Sequence, residues 1–279
     1  MIVMKKEKNN NIVIILLGII ILILIVLLYL IATGTISLES STIKTNTKPT
    51  NTEEKTTQEE NKYTISYKEE EYTTKTEEGA QVSNSKRNIP EITNKANQNA
   101  ADKIEDYLTK VSNKDWEENI KKTADEVTKA GIPYDDLGVS YFYQTGLITK
   151  NSLTFLLEMN GGFGGVSWAS KQGFNFNSQT GEILSLSDIT KDNASKEYIL
   201  NKVYNYLDKE ASNENNCLFD DYKEKAKEEI NKEGNWYFTE YDLVIVLPKY
   251  SVACGGAGIK EINIPKDEIN NYLKEEYKI

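Results

Sequence analysis

The chain has no histidine, so the chemistry open to it is set by its carboxylates, two cysteines and one glycine-rich run. Without an imidazole there is no Ser–His or Cys–His nucleophile pair, no His-bound zinc, and no general base whose ordinary pKa lies near neutrality. Carboxylate-only catalysis of the glycosidase kind and calcium held by oxygen ligands remain open. The doublets Asp135-Asp136 and Asp220-Asp221 are the nearest acidic candidates. Neither has the spacing of an EF-hand, and roles in turns and helix caps are the stronger reading of both. No motif calls for a cofactor or a metal, and the expectation is a protein that binds and is not an enzyme.

Gly161-Gly162-Phe163-Gly164-Gly165 has the composition of an anion cradle. It lacks the Lys-Ser/Thr that follows a P-loop, and it lies between two segments of strand-like alternation, so a strand connection is the better reading. Glycine tolerates positive φ in a tight or bulged turn, and Phe163 at the tip either packs or offers an exposed contact. Cys217 and Cys254 are an even pair, and a bond between them would close a ring of 38 residues. In an oxidising compartment a single disulfide is expected, with two buried thiols as the alternative.

The compartment follows from the start of the chain. Ile12 to Ala32 are 21 consecutive residues without a charge, long enough to cross about 30 Å of hydrocarbon as a helix. Lys5, Lys6 and Lys8 precede that run and the first charge after it is Glu39, so residues 1–11 are expected in the cytoplasm and the rest outside the cell. Ala32-Thr33-Gly34 has the small-x-small form of a cleavage site, but the apolar run exceeds a usual signal core, which favours a retained anchor. Residues 33–62 turn to Thr, Ser, Asn, Glu and Lys with almost no large apolar side chain, the composition of a disordered stalk. Formal charge is −10 overall, and the first eight residues carry +2, which leaves −12 beyond them. An acidic ectodomain disfavours nucleic acid and anionic polymers and attracts a cationic partner.

The folded part begins where Tyr63, Ile65 and Tyr67 alternate with Thr64 and Ser66, a strand pattern, with a weaker strand at Tyr72 to Lys75. From Thr93 to Val111, Ala96, Ala100, Ile104, Leu108 and Val111 form one helical stripe, and Trp116, Ile120, Ala124 and Val127 mark a second helix stopped by Gly131 and Pro133. Val139, Tyr141 and Tyr143, then Leu153, Phe155, Leu157 and Met159, then Phe174 and Phe176, predict three antiparallel strands. Ile199, Val203, Tyr206 and Leu207 line a helix, and Tyr222, Ala226, Glu229 and Ile230 another. Leu243 to Leu247 reads as a buried strand, Ile262 and Ile264 as a further strand, and Pro265 opens a last helix with Ile269, Tyr272 and Leu273 inward. Strands in runs, separated by paired helices, indicate an α+β fold with antiparallel sheets.

Three stretches carry a family resemblance. Ile89-Pro90-Glu91-Ile92, with Asn97, Ala100, Ala101, Lys103 and Ile104, resembles the N-terminal domain of PdaC-type peptidoglycan deacetylases. The run Phe174 to Ile189, and later Tyr250-Ser251-Val252-Ala253 with Gly258 and Ile264-Pro265, resemble the domain that usually follows it. In this order the pair is similar to the ectodomain of RsiV-type anti-sigma factors, which sense lysozyme. The resemblance implies a PdaC N-terminal-like domain over 63–135 and an RsiV C-terminal-like domain over 136–279. It also implies partner contacts in two loops, Gly162, Phe163 and Gly164 in the first and Ala253, Gly255 and Gly256 in the second. Both loops depart from the family: Phe163-Gly164 stands where Ala-His is usual, and Cys254-Gly255 where Pro-Tyr is usual. Eleven cytoplasmic residues are too few to wrap a sigma factor, so direct sigma-factor binding is not expected. The expected function is a membrane-anchored binding or sensor protein whose ligand is lysozyme or another cationic wall-lytic protein. The alternative is a carboxylate-only enzyme or a glycan-binding accessory protein acting on peptidoglycan.

Overall fold

The computed structural model describes residues 63–130, 138–163, 166–214 and 216–279, without the side chains of 163 and 166–168. The Ile12–Ala32 span, the stalk, the helix stop at Gly131 and Pro133, and Asp135-Asp136 lie outside these residues. Among the described residues no helix is long and apolar enough to cross a membrane.

The first sheet has five strands in chain order: β1 (Tyr63–Lys75), β2 (Gln81–Asn94), β3 (Gly138–Ile148), β4 (Ser152–Phe163) and β5 (Val166–Asn177). All neighbours are antiparallel except β2 and β3, which pair in parallel through Lys86↔Ser140 and Arg87↔Tyr141. A parallel pair requires a crossover, and the helical segment between these strands supplies its length. The expectation of antiparallel sheets therefore holds for the fold class and is corrected at this one ladder. The two strands expected within 63–75 are one continuous strand.

β2 carries little apolar alternation because most of its buried residues between Val82 and Ile92 are polar. Ser83, Ser85, Arg87 and Asn88 are buried, and each has a partner. Ser83 Oγ lies 2.8 Å from Thr74 Oγ1. Arg87 Nη2 donates to Glu70 Oε2 at 2.6 Å while its Nη1 reaches Ser112 Oγ and Asn113 Oδ1, and its guanidinium lies 4.9 Å from the Trp116 ring centroid. The Asn88 side chain continues the β2–β3 ladder beyond the backbone pairing: its Nδ2 donates to Tyr143 O at 2.9 Å and its Oδ1 accepts from Tyr143 N at 2.6 Å.

The crossover comprises α1 (Gln98–Asp115), a π-helical turn (Trp116–Lys121) and α2 (Lys122–Lys129). Asn97 caps α1 by accepting from Ala100 N, so Ala96 precedes the helix and is exposed, outside the stripe expected of it. The buried stripe runs Ala100, Ile104, Leu108, Ser112, Trp116, Ile120, Ala124, at a strict spacing of four. In an α-helix each such step overshoots one 3.6-residue turn by about 40°. The wider π turn underwinds the helix, and this keeps Trp116, Ile120 and Ala124 against the sheet. Their core partners include Ile92, Tyr141, Tyr143, Leu153, Phe155 and Phe176.

A second sheet, in the order β6 (Trp236–Phe238), β7 (Asp242–Leu247), β8 (Lys260–Pro265), is antiparallel throughout. It packs with α3 (Leu186–Ile189), α4 (Asn193–Ala211), α5 (Tyr222–Glu229) and α6 (Lys266–Ile269) around Ile199, Val203, Leu207, Phe238, Leu243, Ile245 and Ile264. β7 is buried on both faces, as its continuous apolar run requires: Val244 and Val246 join Tyr237 in a smaller cluster against Leu156 of the first sheet. The last helix is a single turn, and Tyr272 and Leu273 follow it, with Leu273 buried.

The sheets meet where β5 passes β6. A Cβ on Gly173 would lie 2.4 Å from Trp236 O, so only glycine permits this approach. Beside it, buried Asn175 donates to Trp236 O at 2.8 Å and accepts from Thr154 Oγ1 at 2.9 Å. Lys171 bridges Glu158 at 3.2 Å and Glu261 at 2.8 Å. Burial works against its charge, but Glu261, Tyr237 and Glu158 together hold its pKa above the usual lysine range. Tyr237, buried and hydrogen-bonded to Glu261, is pushed up to about 12.

Candidate functional site

The loop that follows β7 is pinned to the chain ahead of α5. Cys217 and Cys254 form a disulfide with Cα atoms 5.5 Å apart. Around it runs a short antiparallel pairing: Leu218 bridges Ala253, Cys254 N donates to Cys217 O at 2.9 Å, and Phe219 N donates to Val252 O at 2.9 Å. Ser251 closes the turn before it, with its Oγ 2.6 Å from Pro248 O. Two backbone hydrogen bonds and one covalent bond thus hold this loop to the Cys217–Phe219 segment.

Tyr250 has φ of 68°, a left-handed conformation that costs a non-glycine residue about 1 kcal/mol or more. It places the ring against Gly255, where a Cβ would lie 2.3 Å from the ring carbon Cζ. The ring is nonetheless 67% exposed, with the Lys249 ammonium 5.3 Å from its centroid. Gly255 thus permits an aromatic side chain to lie across the loop.

Beside this loop opens a cleft of about 870 Å³, walled by Cys217, Leu218, Ala253, Cys254 and Gly256. Glu210 at the end of α4, with Asn213, Glu214 and Asn216 after it, forms the facing side. Glu210 is held in place: Lys260 Nζ donates to it at 2.9 Å and Tyr206 OH at 3.1 Å. Burial, and then the Glu210 charge, raise the Tyr206 pKa. Glu214 is exposed, lines the cleft and makes no ion pair among the described residues. The arrangement offers negative charge, amides and backbone groups for recognition.

Of the residues expected in contacts, Ala253 and Gly256 line this cleft and Gly255 supports Tyr250 beside it. Gly162 lies elsewhere, paired with Gly138 and Ser167 near the end of β4, and is not in the cleft wall. Phe163 ends β4 and pairs with Val166 at the start of β5; Gly164 lies outside the described residues. Asp221 precedes α5 and pairs with Lys225 at 3.3 Å, without a side-chain cap bond. Sequence reasoning passed over Glu210, Glu214 and Lys260. The signal for them was the cysteine pairing itself, since a Cys217–Cys254 bond draws the end of α4 to the loop before β8.

Residues 187–267 match the family model "Protein of unknown function (DUF3298)". The matched segment runs from α3 to α6 and includes the disulfide, the cleft and the whole second sheet. The crystal structure of a DUF3298 family member from Bacteroides fragilis NCTC 9343 aligns with 78% of this chain and 96% of its own, at 15% identity and a TM-score of 0.52. It shares the fold. A DUF3298 family protein from Pseudomonas aeruginosa PAO1 covers 78% of this chain and 97% of its own at 14% identity, with a TM-score of 0.44. No curated protein matches the chain.

Proposed function

We propose that the chain is a non-enzymatic binding protein of the bacterial cell envelope, held by Ile12–Ala32, that captures a cationic extracellular protein at the cleft beside the Cys217–Cys254 bridge. On this reading residues 63–135 are a PdaC N-terminal-like domain, residues 136–279 an RsiV C-terminal-like domain, and lysozyme is the first choice of partner. The observation that carries it is a cleft lined by Glu214, which makes no ion pair among the described residues, and walled by a disulfide-fixed loop whose preceding turn exposes Tyr250. A carboxylate and an aromatic face together suit a lysine or arginine side chain. A rigid loop loses little freedom on binding, and the −12 charge beyond residue 8 speeds encounter.

The test is the binding kinetics of the full-length chain with lysozyme at low and physiological salt. Glu214→Gln lowers the association rate, Tyr250→Ala raises the dissociation rate, and added salt acts mainly on association. If the end of β4 shares the contact, Phe163→Ala also raises the dissociation rate. An absence of binding at physiological salt, or binding indifferent to both Glu214 and Tyr250, overturns the reading.

A further inference from the structure

A second pocket, of about 230 Å³, opens in the first half of the folded part, between the π-helical turn and the β2–β3–β4 end of the sheet. Its polar wall carries Asp115, Asn119 and Thr123, spaced by four along the helical segment so that they share one face. Ser85 of β2 faces them, and Ile120, Val139 and Met159 supply the apolar surface.

The hydrogen-bond inventory of this pocket is specific. Asp115 accepts from Tyr141 OH at 3.1 Å and from Asn119 Nδ2 at 3.2 Å, which leaves lone pairs on both carboxylate oxygens. Ser85 is 1% exposed and its Oγ accepts from Val139 N at 3.3 Å; its own proton has no acceptor among the described residues. Thr123 adds a hydroxyl that makes no bond to another described residue. The pocket therefore offers both an unfilled donor and unfilled acceptors. An ammonium ion brings donors alone and leaves the Ser85 proton unmet. A phosphate or carboxylate brings acceptors and negative charge and would confront Asp115. A ligand bearing several hydroxyls satisfies both sides, and if it also has a C–H face it covers Ile120, Val139 and Met159.

We propose that this pocket binds a single pyranose ring, with Asp115 and Asn119 taking its hydroxyls, the Ser85 proton directed to one of its oxygens, and Met159 and Val139 under its C–H face. The volume falls below the roughly 300 Å³ at which pockets for drug-sized ligands begin, so it suits one ring and not a chain segment. The π turn contributes by widening the helix where Asn119 and Ile120 meet the pocket, and such turns are frequent at functional sites. This site shares no residue with the disulfide-walled cleft, so it stands or falls independently of the cationic partner.

The experiment is saturation-transfer NMR on the full-length chain, with glucose and N-acetylglucosamine as probes and tetramethylammonium and inorganic phosphate as cation and anion controls. Transfer to sugar ring protons is expected. Asn119→Ala, at an exposed position, weakens binding about five-fold, the loss of one ordinary hydrogen bond. Met159→Phe fills the pocket and abolishes transfer while the melting temperature stays near that of the parent. If Met159→Phe does not fold, the Asn119→Ala affinity decides alone. No transfer to either sugar, transfer undiminished in the variants, or transfer only to one of the controls overturns the proposal.

Discussion

The two sheets are stabilised by different means. The second is apolar on both faces of its central strand and is closed by a covalent ring. The first buries polar groups in β2 and depends on their pairings, Arg87 with Glu70, Asn88 with Tyr143 and Ser83 with Thr74, although Asn84 Oδ1 and Asn94 Nδ2 of the same strand are buried without a partner among the described residues. Apolar burial tolerates small adjustments of geometry, whereas a buried polar group is worth keeping only while its partner is present. The first sheet should therefore fail at single side chains, and the second at its crosslink.

The largest expected effect is on the second sheet. Replacing both Cys217 and Cys254 by Ala releases a 38-residue ring and should cost about 4 kcal/mol in the loop-entropy account, measured by urea denaturation. A loss below about 1 kcal/mol would mean that the apolar core alone holds that half, and the contrast would collapse.

Glu70→Gln comes next. It leaves the Arg87 guanidinium, whose side chain is 5% exposed, without its counter-charge, at a cost of about 3 kcal/mol. The same pair gives the first sheet a pH dependence. The Arg87 hydrogen bonds, and then that from Lys68, hold the Glu70 carboxyl below its ordinary range. A carboxyl whose folded pKa is depressed contributes stability that is full above its unfolded pKa and is lost as pH falls through the folded value. Stability measured from neutral pH into the acid range should fall less steeply in Glu70→Gln than in the parent; an unchanged slope would remove the pair from the account.

Asn88→Ala is the finest test. It strips the Tyr143 N–H and C=O of their partner on the β2 side and should cost about 2 kcal/mol, with faster amide exchange at Tyr143. A neutral substitution would show that water replaces the side chain and that the β2–β3 junction is less demanding than the rest of the strand.

The contrast also explains what could be read from the residues. β7 and the stripes Ile199–Val203–Leu207 and Ile104–Leu108 are visible because apolar side chains at regular spacing face one core. β2 is hard to see by that test: between Val82 and Ile92 its buried positions include Ser83, Ser85, Arg87 and Asn88, and Pro90 within the strand argues against one from residue type alone. The parallel β2–β3 pairing is equally hidden, since two backbone pairs and an asparagine side chain define it. In the candidate site, the Ala253–Gly256 loop and the disulfide were legible. Glu210 and Glu214 were not, because their role depends on where the bridge carries them and not on any local pattern.

The outer borders of the first sheet are finished differently. β5 is met by the chain just ahead of β6, through the Gly173↔Asn235 bridge, so its margin is partly occupied. Among the described residues β1 forms the opposite margin, with 13 residues, a length that would ordinarily invite another chain to extend the sheet. Lys68-Glu69-Glu70-Glu71 occupies the middle of that strand, and the adjoining glutamates would stand against their own counterparts if two copies came together edge to edge in register. That run of like charge disfavours the pairing of two copies along β1 and keeps the longer margin of the sheet from acting as a template for a second chain.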